Sequence, residues 1–322
     1  MDYREIRDAE EWDDLVRTHG GHPMQAWGWG ALKEQTGEWE ARHVVCEDNG
    51  TFVGAGQVIV RSLPFPFNHI CYAPRGPVVD GPEQLATAAD ALAAWCKQEV
   101  GGVSLKIDPP FTAQQAALSK DWVSGSEILI PKTAIIDLAP EEDDIMKGLH
   151  SKKARQYIRK AGRNGVTVRP AEKGDLDAIL GIYRTTAEED DFFIHEDDYY
   201  RTAFTACADV NQVFVAESEG EVQAFLWNIV TPACAFELWG GVTESGKTSR
   251  ANFLLKWEAI CTAKRSGTAL YDMNGLLNDG ISRFKTNFQN DPTLFMGTWD
   301  RPLSAKYGLW EGSLKLYRRF FK

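Results

Sequence analysis

Long apolar runs are missing from this sequence: nowhere does it hold the roughly 20 consecutive apolar residues that cross a bilayer. Its opening, MDYREIRDAEEW, is acidic and polar where a secretory leader would be basic and then apolar, so a cytoplasmic protein without membrane insertion is expected. Paired cysteines are missing as well. Cys46, Cys71, Cys96, Cys207, Cys234 and Cys261 lie far apart, with no CxxC and no histidine cluster beside them, and read as reduced core residues. His19-Gly-Gly-His22 lacks a third ligand nearby and reads as a glycine turn, so no metal is expected. No GxGxxG opens a helix after a strand and no Walker-type lysine loop occurs, which argues against a dehydrogenase or an ATPase and leaves no cofactor to expect. Positive charge is also short: 35 Lys and Arg face 46 Asp and Glu, a net charge of -11. That balance excludes a protein that coats nucleic acid without specificity.

What is present is globular: 43% of the 322 residues are hydrophobic and 25% charged, enough for about two domains. Residues 41–60 read as strand, Asp-Asn-Gly turn and strand. Residues 82–100 have helical spacing through Leu85, Ala88, Ala89, Leu92 and Trp95, and 103–107 resumes as a strand. The order recurs: a hairpin about Glu219-Gly220, a strand over 233–242, a helix over 249–266 and a strand over 269–273. A repeated hairpin, strand, helix, strand predicts a duplicated α+β fold.

Between the repeats, Pro140 and residues 141–144 suit a helix start. One helix is expected to run on to about Gly162, with Ile145, Leu149, Tyr157, Ile158 and Ala161 on one face. Lys152, Arg155, Arg159 and Arg163 recur on another, flanked by Lys153 and Lys160. Six cations in twelve residues suit an RNA backbone or a pyrophosphate, or form a solvated helix face. Residues 302–322 read as a terminal amphipathic helix. Residues 271–288 run from a strand through Asn274-Gly275 and Asp279-Gly280 to Phe284-Lys285. There Lys285, flanked by Phe284 and Phe288, either steadies a developing oxyanion or phosphate or lies as a surface lysine over two core rings.

In sequence order, several pieces resemble the Fem-type (FemABX) peptidyltransferases: Gln25-Ala-Trp-Gly-Trp-Gly-Ala-Leu-Lys33, Pro74-Arg-Gly-Pro-Val78, Lys106-Ile-Asp108 and His150-Ser-Lys-Lys-Ala-Arg-Gln-Tyr-Ile-Arg159. Trp239-Gly240, Ala251-Asn-Phe-Leu-Leu255, Tyr271-Asp272 and Phe284-Lys285 continue the likeness. The resemblance implies two acetyltransferase-like (GNAT) domains in tandem, α+β, without the coiled-coil arm of some relatives. The expected division is 1–145, completed by 301–322, and 146–300. It also implies transfer of an amino acid from aminoacyl-tRNA to the stem-peptide amine of a peptidoglycan precursor, nucleotide- or lipid-linked, by a monomeric enzyme. The stretch 243–250, TESGKTSR, has one glycine and is a poor cradle for the pyrophosphate of coenzyme A.

By the same resemblance, Lys285 is expected to stabilise the oxyanion and Phe284 to shape the adenosine site. Asp108 is expected beside the acceptor amine, or only in a turn before Pro109-Pro110. Lys33 is expected at the acceptor's phosphates or as a solvated helix lysine, Arg75 on substrate phosphate or only in a rigid turn, and Trp239 in the peptide groove or only in the core. These and Tyr200, placed to compensate for a lost arginine, are candidate substrate-binding residues, and Lys152, Arg155, Arg159 and Arg163 candidate tRNA-binding residues. The family pattern T-x-x-R-D-x-F reads Thr186-Ala-Glu-Glu189-Asp190-Asp191-Phe192 here, so a carboxylate replaces an arginine associated with acceptor phosphate. Competing expectations are an acyl-CoA-dependent N-acyltransferase, a tRNA-dependent enzyme acting on another small molecule, and a non-catalytic RNA- or precursor-binding protein.

Overall fold

Turn chemistry fixes the first hairpin. Asn49 and Gly50 both take positive φ, 51° and 76°, as a two-residue hairpin turn requires. A computed structural model describes residues 1–277 and 280–320, and the chain divides into one unit of residues 1–131 with those from 295 on and a second of residues 132–294. The first unit runs β1 (Asp2–Glu5), α1 (Ala9–Thr18), α2 (Trp27–Thr36), β2 (Trp39–Asp48), β3 (Thr51–Ser62), β4 (His69–Ala73), α3 (Leu85–Trp95), β5 (Ser104–Ile107) and β6 (Val123–Ser124). Strands β2, β3 and β4 form an antiparallel meander, and β5 returns parallel to β4 after the α3 crossover. Glycines in β3 let α3 close onto the sheet: a Cβ on Gly54 would lie 2.5 Å from the Ala88 Cβ, and one on Gly56 2.7 Å from Leu92. Val58, Leu92, Trp95, Leu105 and Ile107 fill the space beneath.

The second unit runs β7 (Lys132–Thr133), β8 (Ile135–Asp137), α4 (Glu142–Gly148), α5 (Lys152–Arg163), β9 (Thr167–Pro170), α6 (Leu176–Glu189), α7 (Asp197–Ala206), β10 (Asn211–Ser218), β11 (Glu221–Val230), β12 (Cys234–Val242), α8 (Glu244–Ser249), α9 (Ala251–Arg265), β13 (Leu270–Asp272), α10 (Gly280–Lys285) and β14 (Thr293–Leu294). Its sheet order is β8-β13-β12-β11-β10-β9, with β13 parallel to β12 after the α9 crossover. Glu219 and Gly220 turn the β10–β11 hairpin at φ 56° and 80°. Ala235, Leu255, Ile260, Tyr271 and Phe288 belong to its core.

Beyond β14 the chain re-enters the first unit as β15 (Trp299–Pro302), antiparallel to β5, and α11 (Tyr307–Phe320). The first sheet is therefore β1-β2-β3-β4-β5-β15-β6. The repeated topology extends to the strand beyond the parallel pair, with β15 on β5 and β8 on β13. Each of those two strands is distant in sequence from the repeat it completes.

Three boundaries differ from expectation. The units divide at 131/132 and 294/295, because β7 pairs with β14 and β8 with β13, which commits residues 132–145 to the second unit. The expected continuous helix to Gly162 is two helices: Leu149 leaves helical geometry, and the Ser151 side chain caps α5 by accepting from the Lys153 amide. The helix expected over 249–266 is α9, which starts at Ala251 because Arg250, at φ 68°, separates it from the short α8 before it. All six cysteines are buried and none forms a disulfide. Among the described residues no helix is long and apolar enough to cross a membrane. The longest helix of the second unit among the described residues, α9, has 15 residues, too short for a coiled-coil arm.

Candidate functional site

In the second unit, β13 ends at Asp272 and the chain turns sharply at Asn274, whose φ is 52°. That left-handed turn suits asparagine, whose short amide bonds the local backbone. The Asn274 amide donates to Asp272 Oδ1 (2.8 Å), its Nδ2 to the Glu237 carbonyl (3.0 Å), and its Oδ1 accepts from the Gly275 amide (2.8 Å). The carbonyls so fixed receive Lys285 Nζ, at 2.7 Å from Asn274 O and 3.1 Å from Gly275 O. Lys285 is half-buried at the end of α10. Asp279, half of the second expected turn, lies with Asn278 outside the described residues.

Phe284 and Phe288 also serve the core of the second unit. Four residues apart, they share a face and pack on Phe253, with ring centroids 4.9 and 5.9 Å from it. The Lys256 ammonium lies 5.2 and 5.6 Å from the two ring centres. Lys256 is buried and donates to both oxygens of Glu237 at 2.7 and 2.8 Å. The Tyr271 hydroxyl adds a third hydrogen bond to that carboxylate at 2.8 Å. Burial, with Glu237 beside it, holds the Tyr271 phenol well above its usual range, so it stays a donor. Sequence reading passed over this pair. Its signal was a carboxylate in the apolar strand Cys234-Ala-Phe-Glu237-Leu238 and a lysine in the apolar run Phe253-Leu-Leu-Lys256-Trp257.

Trp239, half-buried on β12, closes an aromatic cluster with Trp227 (5.0 Å) and Tyr200 (4.9 Å). Tyr200 is the packing member, 2% exposed, its hydroxyl accepting from the His195 amide at 3.0 Å. Trp239 is therefore the one of the two with surface to offer a ligand. Glu189, where the family has arginine, pairs with Lys247 of α8 at 2.7 Å.

In the first unit, Asp108 follows β5 and is 1% exposed. Its Oδ2 accepts from the Tyr72 hydroxyl at 2.7 Å, and its Oδ1 from the Thr298 hydroxyl. Burial pushes its carboxyl above the usual carboxylate value, while both hydroxyls and the charge of Arg75 pull against that rise. Such a group is a stronger proton acceptor than an exposed aspartate. Arg75 is itself buried, in a left-handed conformation (φ 54°), its guanidinium 4.8 Å from the Phe295 ring centre. Burial and then Arg75 hold His22 well below the usual imidazole value, and so neutral. Lys33, in the last turn of α2, sets its ammonium 4.7 Å from the Trp29 ring.

Of the basic row on α5, Lys152, Arg159 and Arg163 are exposed. Arg155 serves the fold: its guanidinium donates to the Lys147 and Leu149 carbonyls at 3.1 and 2.5 Å, satisfying the end of α4. The break at residues 149–151 turns those carbonyls toward it.

A model described as the FemAB family matches residues 8–128, and one described as an acetyltransferase (GNAT) domain matches residues 150–286. The lipid II:glycine glycyltransferase of Staphylococcus aureus is 25% identical over 220 residues, covering 61% of this chain and 50% of that protein. The chain thus spans about half the length of the curated relatives it matches. Among solved structures, FemX aligns over 100% of both chains with a TM-score of 0.81 and 18% identity. A tandem GNAT protein from the clavulanic acid biosynthesis pathway aligns over 94% of this chain and 98% of its own, with a TM-score of 0.52 and 11% identity. The architecture is that of two GNAT domains in tandem, α+β. Within that class the chain is similar to the FemABX family: the FemAB model matches its first part, and its fold aligns with that of FemX.

Proposed function

We propose that this chain is an aminoacyltransferase that moves an amino acid from aminoacyl-tRNA to the stem-peptide side-chain amine of a peptidoglycan precursor, building an interpeptide bridge. The observation that carries this reading is the likeness to a lipid II:glycine glycyltransferase, on a fold that aligns end to end with FemX. The fixed cation of the second unit supports it. In the reaction an amine nitrogen attacks the ester carbonyl, a C–N bond forms and the C–O bond to the ribose breaks. The amine's proton leaves to a base, and the ribose oxygen takes up a proton as it departs. Lys285, pinned by two carbonyls, supplies positive charge to the oxyanion without having to reorganise. Asp108, with its raised affinity for a proton, orients the amine or takes its proton. Trp239 offers an aromatic wall to the peptide, and Lys152, Arg159 and Arg163 offer charge to the tRNA backbone.

The test is incubation of the purified chain with charged tRNAs and either nucleotide-linked or lipid-linked precursor, reading the mass added to the stem peptide and the deacylated tRNA released. Lys285→Met is expected to lower transfer by about 10²–10³-fold with tRNA binding retained, the scale of removing one oxyanion donor. Unchanged turnover in that variant overturns the assignment of Lys285. Release of free coenzyme A from an acyl-CoA, with no use of charged tRNA, overturns the reading as a whole.

A further inference from the structure

The C-terminal helix is apolar on two sides. Its inner side carries Tyr307, Trp310 and Leu314, all partly buried, and Glu311, whose carboxylate lies 3.6 Å from the buried Lys106. Leu309 and Leu316 are 61% and 58% exposed. Seven residues apart, they stand two turns apart on one outward face. The loop between β3 and β4 adjoins this helix. Phe67 packs edge-on against Trp310 at 5.1 Å, and Lys306 Nζ donates to the Pro66 carbonyl at 2.8 Å. Phe65, held in that loop by prolines on either side, is 95% exposed.

Charge decides what such a surface fits. After residue 302 the sequence has five cations, Lys306, Lys315, Arg318, Arg319 and Lys322, against one carboxylate, in a chain of net charge -11. That carboxylate, Glu311, is turned inward and is 13% exposed, whereas Lys306 and Lys315 are exposed. Residues 62–69 of the loop contain no acid. Outward leucines and a phenylalanine among cations match the boundary between anionic headgroups and acyl chains. A second copy of the chain would set like charges against each other. RNA would gain from the cations and one ring, but aliphatic leucines offer no π-face for bases.

We propose that the outward face of α11, with Phe65 of the β3–β4 loop, is a peripheral docking surface for an anionic lipid bilayer. Apolar side chains enter the interface and cations hold the headgroups, without any span. The inference stands apart from the reaction: it requires only the exposed face and its charge.

The experiment is sedimentation of the full chain with phosphatidylcholine vesicles made with and without phosphatidylglycerol. The chain is expected to sediment with the anionic vesicles and to be released by salt. The triple variant Phe65→Ser, Leu309→Ser, Leu316→Ser is expected to bind about tenfold more weakly or less, since each side chain adds buried apolar area to binding. Its circular dichroism and melting should match the parent, because none of the three sits in the core. Lys315→Glu should weaken binding to anionic vesicles alone. Failure of the parent to bind anionic vesicles overturns the proposal, as does equal binding by the triple variant. So does a concentration-dependent dimer, or binding of a short RNA, that the same three changes abolish while vesicle binding persists.

Discussion

Aligned on their parallel strand pairs, the two units set Cys71 opposite Leu105 and Cys234 opposite Leu270. Lys106 then corresponds to Tyr271, and Asp108 to Met273. Tyr72, whose hydroxyl holds Asp108, corresponds to Ala235. Both the carboxylate of the first unit and one of its hydroxyl partners are thus missing from the second at the same point of the fold. Buried charge is also placed differently. In the first unit Lys106 lies between Asp300, at 2.6 Å, and Glu311, at 3.6 Å. In the second, Lys256 reaches from the crossover helix to Glu237 of β12. Register and close packing preserve the shared backbone, whereas interior polar groups are free to be set anew in each copy once their partners are supplied. A duplicated scaffold can in this way hold a proton acceptor in one half and a fixed cation in the other.

The largest effects are expected where a buried cation is removed. Lys256→Met leaves Glu237 with only the Tyr271 hydroxyl among those partners, and should cost about 3–5 kcal/mol, the usual penalty for stranding a buried charge. Lys106→Met strands two carboxylates, Asp300 and Glu311, and should fall at or above the upper end of that range. Urea denaturation of the two variants ranks them. A smaller loss for Lys106→Met would mean that the Tyr307 hydroxyl, 2.9 Å from Asp300, compensates more than one hydrogen bond ordinarily does.

The scaffold was far more legible in the sequence than the site. Asn49-Gly50 and Glu219-Gly220 announced hairpins through turn chemistry that acts within a few residues, and the Leu85-to-Trp95 spacing announced a helix. Long-range pairing left no local mark. Nothing near residue 135 says that β8 will pair with β13, so the division of the chain was placed near 145. Lys285 and Asp108 were found through family likeness, whereas their settings were not. The rings of Phe284 and Phe288 also meet Lys256, a residue of another helix about 30 positions away, and Thr298 reaches Asp108 across 190 residues. The basic row on α5 was legible as charge, but the capping duty of Arg155 depends on a helix break that the apolar periodicity concealed.

A smaller effect should come from Asp108. Burial raises its carboxyl above the ordinary value, so the folded chain holds that proton more tightly than the unfolded chain. Between the ordinary value and the raised one, the folded state carries more bound protons, and stability falls as pH rises through that window. Asp108→Asn keeps the shape and can still accept from Tyr72, so this fall should flatten while stability at neutral pH is held or improved. Denaturation curves across mildly acid pH measure it. A steeper fall in the variant would mean that the carboxylate is favoured, not strained, by its setting, and would remove the contrast with Met273.

The smallest effects on stability, and the sharpest on partner choice, are expected from the two basic helices. On α5, Arg155→Gln should cost about 1 kcal/mol by releasing the α4 carbonyls, while Arg159→Gln and Arg163→Gln should fall within about 0.5 kcal/mol of the parent. The exposed pair should instead weaken tRNA binding and lower its salt dependence by about one counterion for each cation removed. The outward face of α5 is Lys152, Lys153, Gln156, Arg159, Lys160 and Arg163, with no large apolar side chain. That of α11 adds Leu309 and Leu316 to its cations. If apolar content separates a lipid partner from an RNA partner, the α5 changes should leave vesicle binding intact and the α11 changes should leave tRNA binding intact. Loss of both activities from either set of changes would mean that charge alone governs the two surfaces, and that the leucines of α11 have no partner in the bilayer.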